Sequence, residues 1–187
     1  MTTNTTLTTR RIPIIGIITA VVYIGCVYLA NWLLLNVGTP SGGIHVIPVW
    51  PGISAPSGVL AAGLALTMRD LTQDKLGRAA VIACIVIGAA LSALLSPGLA
   101  LASGAAFLVS EAVDMAVYTP LRRRNHYAAI ALSNTVGLAV DSALFLWLAH
   151  IPFAALPGQV IGKLEMTVLA IGLIWIGRMA RQEEQAK

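Results

Sequence analysis

The sequence predicts an all-α integral membrane protein, a six-transmembrane-helix bundle with both termini cytoplasmic. Three observations carry the prediction. The 187 residues are 57% hydrophobic and only 11% charged, whereas a soluble domain needs about 25% charged residues to coat its surface. The apolar residues fall into runs that approach bilayer-spanning length, about 20 residues in a helix. Once those runs are laid out, 11 of the 12 Lys and Arg residues fall on one side, the bias that sets orientation in membrane chains. The basic balance therefore reads as topology rather than as a nucleic-acid surface.

The six spans are expected at about 12–37, 54–70, 78–96, 99–119, 127–150 and 157–178. Residues 1–11 (MTTNTTLTTRR) are polar and read as a short cytoplasmic tail. Thr9-Arg10-Arg11 superficially resembles a twin-arginine signal, but the apolar run after it exceeds the 7–15 residues of a signal core. Residues 12–180 then form one transmembrane domain, and 181–187 a second cytoplasmic tail. The first span stops at the breaker cluster Gly38-Thr39-Pro40. Residues 38–58 are rich in Gly and Pro and contain no Lys, Arg, Asp or Glu. Such a stretch is too apolar for an ordinary solvated loop, so it is expected to lie in the interface or dip into the bundle as a lid. Trp50 would anchor it at headgroup depth.

The second span is short, and its helix is expected to continue as a wet extension through MRDLTQDKLGR to Gly77. By position alone, Arg69 and Asp70 read as a solvated helix end. The third span closes at Ser96-Pro97-Gly98, a turn tight enough to make spans three and four antiparallel neighbours. Ile151-Pro152 interrupts the fifth, and Pro157-Gly158 opens the sixth. Cys26 and Cys84 lie in different apolar segments without ligand spacing, so they read as small buried residues rather than metal ligands or a disulfide.

Chemistry enters with the charges inside the apolar runs. A carboxylate at the centre of a spanning helix costs roughly 2.5–3.5 kcal/mol on insertion scales, so it must face protein or a wet cavity. Glu111 and Asp114 lie one turn apart in the fourth span. At 100° per residue they share an arc with Ser103, Phe107, Ser110 and Tyr118. Asn134, Gly137 and Asp141 form a stripe on the fifth span with Phe145 beside it. On the sixth, Gln159, Gly162, Lys163 and Met166 line up, while Glu165 points elsewhere. A rise of about 1.5 Å per residue puts Asp141 and Lys163 at comparable depth, which predicts an ion pair or a shared water between them. Asn134 and Gln159 serve equally well as helix–helix hydrogen bonds or as ligand contacts.

The motifs exclude most catalytic classes. Asp114 and Asp141 could form a carboxylate dyad on adjacent helices, but Asp141 sits in GLAVDS, not in a GxGD motif. No G-x-S-x-G, HExxH or Walker element occurs. The chain is therefore expected not to be an enzyme, and no cofactor or metal is expected. A passive channel or a structural subunit leaves the interior charges without a purpose. A transporter binding a polar, partly aromatic solute near the midplane gives them one.

Four stretches, SGVLAAGLALTMRDLTQDKLG, SEAVDMAVYTPLRRR, GLAVDSALF and GQVIGK, resemble the VUT family of queuosine-precursor transporters over roughly residues 20–170. The resemblance implies six transmembrane helices in a fold similar to the substrate-binding subunits of energy-coupling-factor vitamin transporters, working without their ATPase module. It implies import of 7-cyano-7-deazaguanine or a related 7-deazapurine across the cytoplasmic (inner) membrane. Asn31, Asp70, Asp114, Asp141 and Lys163 match the family's polar positions, while Glu111 departs from a pattern with Gln. With Phe107, Asn134 and Gln159 these make up the expected substrate site. Glu111 or Asp114 would accept from the donor edge of a guanine-like base, and Asn31 or Lys163 would serve its carbonyl. Phe107, Tyr118 or Trp50 would stack on the ring. The alternative is a vitamin-binding subunit of an energy-coupling-factor transporter. Expected partners are the 7-deazaguanine and the lipid bilayer, with no nucleic acid and with a homodimer left open. The driving force stays open between facilitated diffusion, proton coupling through Glu111 or Asp114, and docking onto a separate energy-coupling complex.

Overall fold

A computed structural model describes residues 14–121, 124 and 126–185. The expected tail at 1–11, the arginines at 122 and 123 and the residues at 186–187 lie outside the described residues. Six helices run in chain order: α1 (Ile14–Asn36), α2 (Val59–Leu76), α3 (Arg78–Ser92), α4 (Pro97–Leu121), α5 (His126–Leu148) and α6 (Leu156–Gln185). A 3-10 turn, Phe153–Ala155, precedes α6. The helix ends follow the expected punctuation. α2 runs on past Arg69 and stops at Gly77, whose positive φ ends the helix. Pro97 occupies the first position of α4, where its missing N–H costs nothing, and Ser96 Oγ caps the helix by accepting from the Leu99 N–H. α6 continues to Gln185, beyond its expected end near Arg178.

Residues 38–58 correct the all-helical expectation. They form an antiparallel meander, β1 (Thr39–Ser41), β2 (Ile44–Trp50) and β3 (Ile53–Pro56), in spatial order β1-β2-β3. Gly42 and Gly43 connect β1 to β2 with φ of 58° and 87°, the two positive values that a two-residue hairpin turn requires. The register pairs Pro40 with His45 and Ile47 with Ala55, with a bulge between Pro48 and Trp50. A lipid-exposed sheet edge would leave backbone groups unpaired, and this sheet avoids the problem by sitting across the helix ends. Ile44 is buried with Leu34, Leu146 and Ile151, and Ser57 Oγ donates to the Leu33 carbonyl at 2.7 Å. The helix ends beneath the meander are called the sheet end below. The opposite end, which carries Lys75, Arg78 and Arg124, is the basic end.

Length and composition suffice for a membrane crossing over Ile14–Asn36, Pro97–Leu121 and Phe153–Leu173. Arg78–Ser92 and Leu132–Leu148 are shorter apolar helices. α2 falls short because Arg69, Asp70, Asp74 and Lys75 crowd its second half. Three spans rather than six therefore meet that test among the described residues. The outward faces are apolar: Ile14, Ile18 and Val21 of α1, Val86 of α3, Leu101 of α4, and Val168 and Leu173 of α6 are each more than half exposed. Side chains of this kind belong in lipid. The chain is a helical membrane protein.

The interior is built on small residues. α1 packs antiparallel to α2, and α4 packs antiparallel to α5 along most of their lengths. α2 also lies beside α6, and both run from the sheet end to the basic end. At Gly63 that pair comes so close that a Cβ would stand 2.7 Å from the Lys163 carbonyl oxygen and 2.6 Å from Met166 Cβ. α5 meets α6 over a much shorter seam than it shares with α4. The main apolar cluster joins Tyr23, Cys26 and Val27 of α1 to Ala65, Val81, Cys84, Ile85 and Phe107. Within it the Tyr23 and Phe107 rings meet edge to face at 6.4 Å, a favoured aromatic geometry.

Candidate functional site: two neighbouring cavities

The charged side chains inside the bundle are not scattered. Lys163 of α6 and Asp141 of α5 form the expected ion pair, Nζ to Oδ2 at 2.5 Å, both almost wholly buried. Lys163 also donates to Ser142 Oγ at 3.0 Å. Taking two charges out of water costs several kcal/mol per ion, and the cost is recovered only with good geometry and further hydrogen bonds. Ser142 supplies one such bond.

This pair lies in the wall of a cavity at the sheet end, where about 40 Å³ is open to the centres of waters. A single water needs about 10–15 Å³ by that measure, so the space is more than a packing defect. Its polar lining is Asn31, Ser103, Asp141, Gln159 and Lys163, and its aromatic lining is Phe107 and Phe145. Asn31 Nδ2 donates to Ser103 Oγ at 3.1 Å and to the Val27 carbonyl, tying α1 to α4. Gln159 is 2% exposed, and its Oε1 has no hydrogen-bond partner. Five of the nine expected site residues, Asn31, Phe107, Asp141, Gln159 and Lys163, thus come together here.

Three others, Asp70, Asp114 and Asn134, line a second and larger cavity toward the basic end, of about 570 Å³. Arg69 and Thr67 of α2, Ser110 of α4, Thr135 of α5 and Thr167 of α6 complete its polar lining. Asp114 Oδ1 and Thr67 Oγ1 are buried there without a hydrogen-bond partner. Gly137 faces Asp114, where a Cβ would stand 3.7 Å from Oδ1.

Glu111 lines neither cavity. Its Oε2 accepts from Arg69 Nη1 at 2.8 Å, and Arg69 also binds Asp70 Oδ1 at 2.8 Å. Two expectations change accordingly. Arg69 is not a solvated helix end: its side chain is 12% exposed and bridges α2 to α4. Nor does one cavity place Glu111 or Asp114 beside Asn31 and Lys163: Asp114 lines the second cavity, Asn31 and Lys163 the first, and Glu111 neither. A signal for the bridge existed. A carboxylate at mid-bundle needs a cation, and Arg69 is the basic residue of α2 farthest from its end at Gly77. Trp50 is 59% exposed at the rim of the sheet, with Trp32 and Trp147 near the same end, as expected of an aromatic belt. Phe107 alone of the three stacking candidates faces the sheet-end cavity. No group of three or more His, Cys, Asp or Glu able to hold a metal occurs among the described residues.

The α4–α6 half, which supplies Phe107, Asp114, Asp141 and Lys163, is also the half that shows a likeness. The sequence model of a family described as "putative vitamin uptake transporter" matches residues 94–177. No curated protein and no solved structure matches the chain. From the start of α4 through most of α6 the chain is therefore similar to the VUT family, which supports a membrane transporter of the uptake type.

Proposed function

We propose that the protein imports a 7-deazapurine base, 7-cyano-7-deazaguanine or a close relative, across the cytoplasmic membrane, with the sheet-end cavity as its substrate site. In this reading all six helices cross the bilayer, the basic end faces the cytoplasm, and the chain acts as a transporter and not as an enzyme. The observation that carries it is the cavity lined by Lys163, Asp141, Gln159, Asn31, Ser103 and Phe107 in an otherwise apolar wall.

The chemistry of those groups suits a guanine-like edge. Such an edge presents an N–H and an exocyclic NH₂ as neighbouring donors, with a carbonyl acceptor beside them. Asp141 and the unpartnered Gln159 Oε1 are acceptors, Lys163 and Asn31 are donors, and Phe107 offers a ring edge or face. Lys163 and Asp141 now satisfy each other. A base that enters between them must give Lys163 an acceptor and Asp141 a donor at once, because an uncompensated buried charge costs about 3–5 kcal/mol. A ligand with only one of the two functions leaves that cost standing, and this is the basis of selectivity. The short seam between α5 and α6 is where the bundle can part to admit the base.

A second reading rests on the description of the matching family: a vitamin as the bound solute, with the chain serving an energy-coupling complex. One experiment separates the two. The thermal stability of the detergent-purified protein is measured with 7-cyano-7-deazaguanine, guanine, riboflavin and biotin, for the wild type and for Gln159→Ala. Saturation at 100-fold over Kd stabilises by about 2.7 kcal/mol. A shift with the deazaguanine that is lost in the variant supports the first reading. A shift with a vitamin alone replaces it with the second.

A further inference from the structure

We infer that the cavity at the basic end is a second binding station for the same substrate class, and that Asp114 is its principal acceptor. This inference rests on the reading of the sheet-end cavity as a site for a planar base with adjacent N–H donors.

The first argument is alignment. On each of the four helices that line both cavities, the second set of residues reaches one to two turns nearer the basic end than the first, while Val160 and Leu164 of α6 bring its near edge level with Gln159 and Lys163. On α4 the step runs from Phe107 to Ser110 and Asp114, and on α5 from Asp141 to Gly137 and Asn134. On α6 it runs from Lys163 to Thr167, and on α2 from Ala65 to Thr67 and Arg69. One turn is about 5.4 Å, so the two cavities are neighbours on the same four helices, the second extending further toward the basic end.

The second argument is unspent hydrogen-bonding capacity. Thr67 is 7% exposed, yet its Oγ1 has no partner, and Asp114 Oδ1 is buried in the same condition. Buried polar atoms of native proteins are nearly all paired, so an unpaired carboxylate oxygen beside an unpaired hydroxyl, which can donate or accept, points to a ligand that donates to Asp114. The third argument is room. The second cavity has the volume of a small-molecule site, and Gly137 keeps the face of Asp114 clear. The neighbouring charges are already engaged, since Arg69 binds Glu111 and Asp70. Asp114 is left to accept from a ligand. A base leaving Asp141 and Gln159 thus finds a second carboxylate about one turn nearer the basic end, where Asp114 faces Gly137.

Site-specific thiol protection in proteoliposomes tests this. Cys84→Ala leaves Cys26, which lines the sheet-end cavity, as the reporter of the first station. Cys26→Ala/Cys84→Ala/Ala139→Cys carries a reporter on the wall of the second, and Ser110→Cys in the same background is a second reporter there should the first fail to fold. Modification by a small maleimide is followed with and without saturating 7-cyano-7-deazaguanine. The expected result is slowing of at least fivefold at both stations, with Asp114→Asn abolishing protection at the second and sparing the first. Protection at Cys26 alone overturns the second station and leaves the substrate reading intact. Absence of protection at both reporters overturns both.

Discussion

Arg69 and Glu111 meet at 2.8 Å from helices 42 residues apart in sequence, and both side chains are more than four-fifths buried. The contact turns two residues that look independent in the chain into one structural unit. Removing either partner strands the other. Glu111→Gln or Arg69→Met alone should destabilise by about 3 kcal/mol, as expected when one half of a buried pair is lost. The double variant should recover more than half of that. A double-mutant cycle on detergent-solubilised protein, followed by chemical denaturation, reads the coupling directly. Additive losses would show that the two side chains do not depend on each other.

Lys163 and Asp141 should show the same stability pattern with a functional difference. Lys163→Met is expected to cost about 3–5 kcal/mol, and adding Asp141→Asn should restore much of it. Uptake should be lost in both variants, because the substrate needs the charges that stability can spare. Recovery of uptake in the stable double variant would reduce the pair to a fixture of helix register.

Gln159 offers a trade of the opposite sign. Its Oε1 is buried without a partner, and such an atom costs about 1–3 kcal/mol. Gln159→Leu should leave thermal stability unchanged or raised while weakening 7-cyano-7-deazaguanine binding by about tenfold, the value of one good hydrogen bond. Equal binding by the variant would remove Gln159 from the site.

Gly63 tests the close packing behind Lys163. In Gly63→Val the side chain meets the α6 backbone, which cannot yield as a flexible side chain would. Overpacking of this kind costs about 1–3 kcal/mol, and the displaced α6 should carry Lys163 away from Asp141. Gly25→Ala, with nothing within 4 Å of its new methyl, should stay within about 0.5 kcal/mol of wild type. Comparable melting losses for the two would show that α2 and α6 are less tightly apposed than Gly63 implies.

Much of this was legible because helices are regular. A constant rise and a constant turn angle place Asp141 and Lys163 at one depth and aim Asn134, Gly137, Asp141 and Phe145 along one face, as they lie here. What a helix faces is not contained in its own sequence. That is why Arg69 read as a wet helix end, and why Asp114 was grouped with Lys163 when α4 presents it one cavity lower. The sheet was hidden for another reason. Its strands are three, seven and four residues long and dense in Gly and Pro, so breaker signals outweighed the β-branched run in IHVIPVW. The Gly42-Gly43 and Pro51-Gly52 pairs, each joining two strands, were the turn signals in the sequence.

α3 has a consequence for the surrounding membrane. Its 15 residues span about 22 Å at helical rise, against a hydrocarbon core of about 30 Å. Ile82, Val86, Ile87 and Leu91 face outward along that short length. If all six helices cross the bilayer as proposed, acyl chains beside α3 must compress to meet it while those beside α1 do not, which would give the protein a thin flank and a thick flank. Such mismatch costs fractions of a kcal/mol per Å. The protein should orient its neighbours accordingly, and bilayer thickness becomes one of the variables that set its working state.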